Sequence, residues 1–171
     1  MNPAGRPGGT GWWRTKIRQF DAHVRARVTT AERDALATWL TPDQLALFDS
    51  MHVADRRHGL DVVATLRLDG IDDTEVLLAG LLHDAAKGHT SVLPRVLYSL
   101  GQAYGPWIWG VAGVVPSMGR ALTRMHGHAE SSAGLAAAAG CSPRTVELIR
   151  HQDAPIDPVA GVRLKLADDA N

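Results

Sequence analysis

A chain of 171 residues with 45% hydrophobic and 21% charged side chains is long enough to bury a core without disulfides or a structural zinc. Its one cysteine, Cys141, cannot pair within the chain, which excludes a disulfide-built secreted module and points to a reducing, cytoplasmic setting. Eighteen Lys and Arg balance eighteen Asp and Glu, so no global basic field draws the protein onto duplex nucleic acid.

Residues 1–11 hold four Gly and two Pro without apolar periodicity and read as a short disordered arm, not a signal peptide. From Trp12 to Val28, Trp13, Ile17, Phe20, Val24 and Val28 recur at helical steps between arginines and Lys16, the pattern of a basic amphipathic helix. Thr29 with Glu32, and Thr41 with Pro42 and Gln44, predict two capped helix starts. Leu45 to Leu68 keeps one apolar face as one long helix or two, and Gly70 is the expected stop. Asp72 or Asp73 caps the next segment, in which Val76, Leu77, Leu78, Ala79, Leu81 and Leu82 are apolar almost all round, as in a central, fully surrounded helix.

Val96 to Gly119 carries no formal charge, but its repeated Gly and Pro argue against a membrane span and for a buried or lid-like irregular insert. Ser142 with Pro143 opens a helix over 144–151, and Asp157 with Pro158 opens another over 159–170. Sustained β alternation is missing from the sequence, so the expected fold is all-α, with an arm over 1–11, N-terminal helices over 12–49 packing on a core, and a helical bundle over 50–171.

Eight histidines call for a chemical explanation, because imidazole is the commonest metal ligand and titrates near neutrality. His83 and Asp84 stand side by side where an apolar helix gives way to Gly88. Neighbours on a helix point about 100° apart, so both reach one ion only at the side or end of that turn. By itself the pair equally fits a buried histidine satisfied by a carboxylate. It has company: His58 lies on an earlier helix, and Asp168 lies on the last one in Leu166-Ala167-Asp168-Asp169.

This order, with Leu-Leu-His-Asp-x-x-Lys over 81–87 and Arg-His-Gly-Leu over 57–60, resembles the HD-domain superfamily of metal-dependent phosphohydrolases. The resemblance covers about residues 50–171. It implies an HD-domain-like bundle in which His58, His83, Asp84 and Asp168 bind a divalent metal. Two imidazoles and two carboxylates suit Mn, Fe, Co, Ni or Zn better than Mg alone. Asp169 rivals Asp168, but Ala160, Leu164 and Ala167 place the inward stripe nearer Asp168. His128, in His-Ala-Glu-x-Ser-Ala, and His151 fall where some members of the superfamily hold a second ion. Gln152 stands where two-metal members commonly carry a further histidine, so one or two ions remain open. The plain alternatives are a helix-start residue at His128 and a helix C-terminal cation at His151.

Lys87, three residues after Asp84, is a candidate to meet a phosphate oxygen and offset charge in the transition state, or a lysine answering the helix dipole. Arg57, with Arg56, is a phosphate-contact candidate. What the resemblance implies is hydrolysis of a phosphate ester of a nucleotide or other small phosphorylated metabolite, with metal-activated water as nucleophile, Asp84 and Lys87 as catalytic residues, and Arg57 and Lys87 toward substrate. The alternative is a non-catalytic module binding metal or nucleotide. A membrane-peripheral role, with Trp12, Trp13, the Arg14–Arg27 stretch and Trp107-Ile108-Trp109 resting on anionic lipid, competes with core packing of the same tryptophans.

Overall fold

The computed structural model describes residues 26–88, 105, 107–113 and 127–171, and every regular element among them is a helix: α1 (Thr30–Leu36), α2 (Pro42–Ser50), α3 (Val53–Leu68), α4 (Thr74–Leu82), α5 (Trp107–Gly113), α6 (His128–Ala138), α7 (Pro143–Arg150) and α8 (Ala160–Ala170). The arm over 1–11, the basic helix as far as residue 25 and most of the 96–119 insert lie outside the described residues. No helix among the described residues is long and apolar enough to cross a membrane. The chain divides into two compact units, residues 26–88 with 128–171, and 1–25 with 89–127. Helices α1 and α2 thus fall in the same unit as the bundle, with no division near residue 50. In the other unit Trp107–Gly113 is helical.

Local sequence sets the ends of the helices in the larger unit. Thr29 accepts a hydrogen bond from the Glu32 amide at 3.2 Å while the Glu32 carboxylate accepts from the Thr29 amide at 2.8 Å. Thr41 and Gln44 form the same reciprocal box at 3.3 and 3.0 Å, with Pro42 in the first turn, where a missing N–H costs nothing. Asp73, and not Asp72, caps α4, and Ser142 caps α7 ahead of Pro143. The 45–68 stretch is two helices: Met51 turns extended, and His52 starts α3 by accepting from the Ala54 amide through Nδ1 at 3.3 Å. Gly70 ends α3 at φ +78°, where the Ile71 amide donates back to the Leu66 carbonyl at 3.0 Å, a left-handed cap that glycine adopts without steric cost. The last helix begins one residue later than its sequence suggests. Asp157 accepts from the amides of both Val159 and Ala160, which leaves Pro158 before the first turn.

Every residue of α4 from Val76 to Leu82 is buried, because α2, α3, α7 and α8 all pack on it, while α6 lies against α7 and α2. With few aromatic residues available, Leu and Val fill the core, joined by Phe48, Ile149 and several alanines. Such small side chains let helix axes approach closely. The tightest approach is between α3 and α4 at Gly59, where a Cβ would stand 2.5 Å from the backbone oxygen of Leu81.

Gly59→Ala is therefore expected to destabilise the fold by about 1–3 kcal/mol, the range for overpacking against atoms that cannot yield. Gly134→Ala on α6, where the new methyl meets nothing within 4 Å, should stabilise by about 0.4–1 kcal/mol. Urea unfolding of both variants checks the contrast. The Glu32 carboxyl is held down to about 2 by the Thr29 amide, then by Arg57 and the Thr29 hydroxyl. A depressed carboxyl stabilises above its unfolded value, so this contribution is lost as pH falls from 4.5 toward 2. Glu32→Gln should flatten stability against pH in that window, read from thermal melts between pH 2 and 6.

Candidate metal centre

The elements packed around the C-terminal end of α4 bring distant residues together. After Leu82 the chain tightens, with amide to carbonyl bonds from Ala85 to Leu82 and from Lys87 to Asp84, both 3.0 Å, the shorter-range pattern of a 3₁₀ turn. His83 and Asp84 lie on this turn, 1% and 2% exposed, so the geometry that a regular helix denies to adjacent residues is available here. The His83 ring is oriented by Nδ1 donating to the Gly80 carbonyl at 2.9 Å, which turns Nε2 toward the carboxylates. This is the usual way a backbone acceptor fixes which imidazole nitrogen is presented.

His58 comes from the middle of α3, one residue before the Gly59 contact, and its ring meets that of His83 at 5.1 Å between centroids. Asp168 comes from α8, its Oδ1 lying 2.8 Å from His58 Nε2 and 3.3 Å from His83 Nε2. Donor atoms of His58, His83 and Asp168 all lie within 4.8 Å of one another, and Asp84 Oδ1 is 3.4 Å from His83 Nε2. The register question at the end of α8 is decided: Asp169 is exposed beside Lys165, and Asp168 faces the cluster.

Lys87 places Nζ 2.5 Å from Asp84 Oδ2. His128, at the start of α6, is 8% exposed, with Nε2 at 3.6 Å from Asp84 Oδ1. Four imidazole and carboxylate residues predicted for the metal, together with His128 and Lys87, thus share one region. His151 does not join them: it ends α7, 3.3 Å from Glu147. Arg57 is held by Glu32 at 2.5 Å and Asp61 at 2.8 Å, and Arg56 leans toward Asp49 at 3.9 Å.

Three participants were not singled out from the sequence as site residues. Gln152, 6% exposed, directs its amide nitrogen to His128 Nε2 at 3.0 Å and to the His83 carbonyl at 3.5 Å. Ser132, fully buried, accepts from the Ala86 amide at 3.0 Å and ties α6 to the turn. Asp55, 3% exposed, stands one turn before His58 on α3. A signal existed for two of them, since Asp55 is three residues from His58 and Ser132 four from His128, the spacings that share a helix face. Gln152 follows the end of α7, where no periodicity applies.

The electrostatics follow from burial and proximity. Burial opposes charge on His83, but Asp84 and then Asp168 outweigh it and push the imidazole up to about 9. Burial would raise both carboxyls, yet His83 and Lys87 hold Asp84, and His83 and His58 hold Asp168, well below the usual carboxylate range. Lys87 is pushed up by Asp84 and Asp168 despite desolvation. The site therefore concentrates anionic oxygen in a buried place and draws protons or other cations to it.

A divalent first-row ion fits these residues. Ligand atoms around such an ion, each about 2.0–2.2 Å from it, stand about 3–3.5 Å apart; His83 Nε2 lies 3.3 Å from Asp168 Oδ1 and 3.4 Å from Asp84 Oδ1, while His58 Nε2 and Asp168 Oδ1, at 2.8 Å, would open slightly around an ion. His83 Nε2 and Asp84 Oδ1 are moreover buried without a hydrogen-bond partner, a costly state for polar atoms that a bound cation relieves. No family model, curated protein or solved structure matches the chain.

Removing one member of a buried charge pair costs about 3–5 kcal/mol, whereas an exposed ion pair contributes at most about 1 kcal/mol. Asp84→Ala should therefore lower the unfolding free energy of chelator-treated protein by several times more than Asp169→Ala does. Denaturant titration in EDTA measures the difference.

Proposed function

We propose that this protein is a metal-dependent phosphohydrolase of the HD-domain kind, acting on the phosphate ester of a nucleotide or another small phosphorylated metabolite. The observation that carries the reading is the convergence of His58, His83 and Asp168 from three helices, with Asp84 Oδ1 and His83 Nε2 facing each other unpartnered. His58, His83, Asp84 and Asp168 would hold the ion. When bound, a divalent ion supplies Lewis acidity, which makes water acidic enough to attack phosphorus near neutral pH and polarises phosphoryl oxygens.

The remaining chemistry belongs to the chain. Asp84 keeps one oxygen on Lys87 and leaves the other directed into the cluster, where it would either hold the ion or accept the proton of the attacking water. Its low proton affinity suits the role only because that water is itself made acidic. Lys87 puts a fixed positive charge beside the reacting group, where it stabilises the growing negative charge on phosphate. His83, locked by the Gly80 carbonyl, and Asp168, positioned by α8, need no reorganisation as the reaction proceeds. Glu32 and Asp61 already hold Arg57, so its contact with substrate would require it to leave them.

Elemental mass spectrometry on protein purified without chelator, paired with assays of a generic phosphodiester, a phosphomonoester and a nucleotide panel, tests this. Wild type and Asp169→Ala should carry ion and activity, and His83→Ala/Asp84→Ala should lack both. Failure of wild type to take up Mn, Fe, Co, Ni or Zn would sink the reading. Ion uptake with no hydrolysis of any ester class would assign the protein to ligand binding without turnover.

A further inference from the structure

We propose that Ser132 is a positioning residue for the His83–Asp84 pair: its hydroxyl takes the Ala86 amide out of the hydrogen-bond ladder of the turn after α4, and this sets the directions in which the two adjacent side chains point. For its consequence at an ion the inference rests on the metal reading above. The hydrogen bond itself is independent of any ion.

A 3₁₀ turn bonds each amide to the carbonyl three residues back. Here Ala85 bonds to Leu82 and Lys87 to Asp84, both at 3.0 Å, and the rung between them, from Ala86 to His83, is missing among the described residues. Its two halves go elsewhere. The Ala86 amide donates to Ser132 Oγ on α6 at 3.0 Å, and the His83 carbonyl accepts from the Gln152 amide nitrogen at 3.5 Å. The Gln152 bond is long and leaves that residue's own Oε1 buried without a partner, so the arrangement depends mainly on Ser132. A serine inside a helix ordinarily faces solvent or bonds back to its own helix. Ser132 is instead fully buried, on the side of α6 that also buries His128, Ala133 and Ala136, and it meets an amide 46 residues away in the chain.

The missing rung matters because of the peptide it frees. The His83 carbonyl and the Asp84 amide belong to one rigid plane. The dihedrals on either side of that plane, ψ of His83 and φ of Asp84, decide how the two side chains point relative to each other. If the Ala86 amide closed on the His83 carbonyl, as its neighbours close on theirs, the plane would tilt and the side chains would turn with it. His83 is held at Nδ1 by the Gly80 carbonyl at 2.9 Å, so the change would fall mainly on Asp84, whose Oδ1 now stands 3.4 Å from His83 Nε2. An alanine at position 132 removes the acceptor, and a partly buried amide without a partner takes the carbonyl that the turn offers it.

Nuclear magnetic resonance of the metal-free full chain, with Co²⁺ titration followed by visible absorption, tests this. In wild type the Ala86 amide should exchange slowly with solvent. The HN–Hα coupling of Asp84, which reports its φ, should change in Ser132→Ala and in Ser132→Cys, whose sulfur accepts poorly. It should hold in Ala136→Gly, which loosens the same helix and keeps the hydroxyl. Both serine variants should bind Co²⁺ about 10–100-fold more weakly, the usual consequence of losing a group that orients metal ligands, and with an altered spectrum, whereas Ala136→Gly should match wild type. Rapid Ala86 exchange in wild type would overturn the inference and leave the metal reading standing, as would an Asp84 coupling or a Co²⁺ affinity unchanged in Ser132→Ala. An equal loss of affinity in Ala136→Gly would also overturn it, by making the effect one of packing. Wild type that takes up no Co²⁺ would overturn the metal reading, and the Asp84 coupling in the metal-free variants would then uphold or overturn the part of Ser132 by itself.

Discussion

The carbonyl oxygen of Leu81 lies 2.5 Å from where any side chain at position 59 would begin, so α3 and α4 meet at backbone contact distance, and this contact organises the rest. His58 precedes the contact on α3, and His83 follows it by two residues, just past the end of α4. Their rings can meet at 5.1 Å only because nothing separates the two backbones. With the helices in contact, α8 packs across both and delivers Asp168 to the pair. A methyl at position 59 would disturb both packing and chemistry.

The second constraint is the expense of what the contact assembles. Two carboxylates, an ammonium and several imidazoles share a region in which His83 and Asp84 are almost inaccessible. Buried charge is tolerated when it is paired and hydrogen-bonded, and most of this cluster is. The unpartnered atoms at the site include Gln152 Oε1 and the pair His83 Nε2 and Asp84 Oδ1, which face each other 3.4 Å apart without a hydrogen bond. Such an exception in a core that is otherwise tightly packed is the usual mark of a place held ready for a ligand. The supporting residues around it, the Gly80 carbonyl, Ser132, Gln152 and Lys87, fix orientation before anything binds, which is what preorganised sites require.

Much of this was legible in the chain because the responsible physics is local. The boxes at Thr29 and Thr41, the Ser142 cap, the Gly70 stop and the all-round apolar α4 depend on residues within four positions of each other. The inward face of Asp168 followed from the spacing of Ala160, Leu164 and Ala167. Local signals also misplaced details: Pro158 suggested an earlier start for α8, but the Asp157 side chain bonds two successive amides and moves the start on by one residue.

By itself, then, the sequence determined that the fold is helical, where most helices start and stop, and which side chains have donor atoms of the kind that could hold a metal, since periodicity, capping and residue type act over a few positions. The tertiary structure alone decided that His128 joins the cluster and His151 turns away, that Arg57 is tied to Glu32 and Asp61, and that Gln152 meets His128. The contacts of His128 with Asp84, Arg57 with Glu32 and Gln152 with His128 join residues more than twenty positions apart in the chain, whereas Glu147 and Asp61 lie only four residues from His151 and Arg57. Burial and packing choose the distant pairings, which a single helix has no means of encoding.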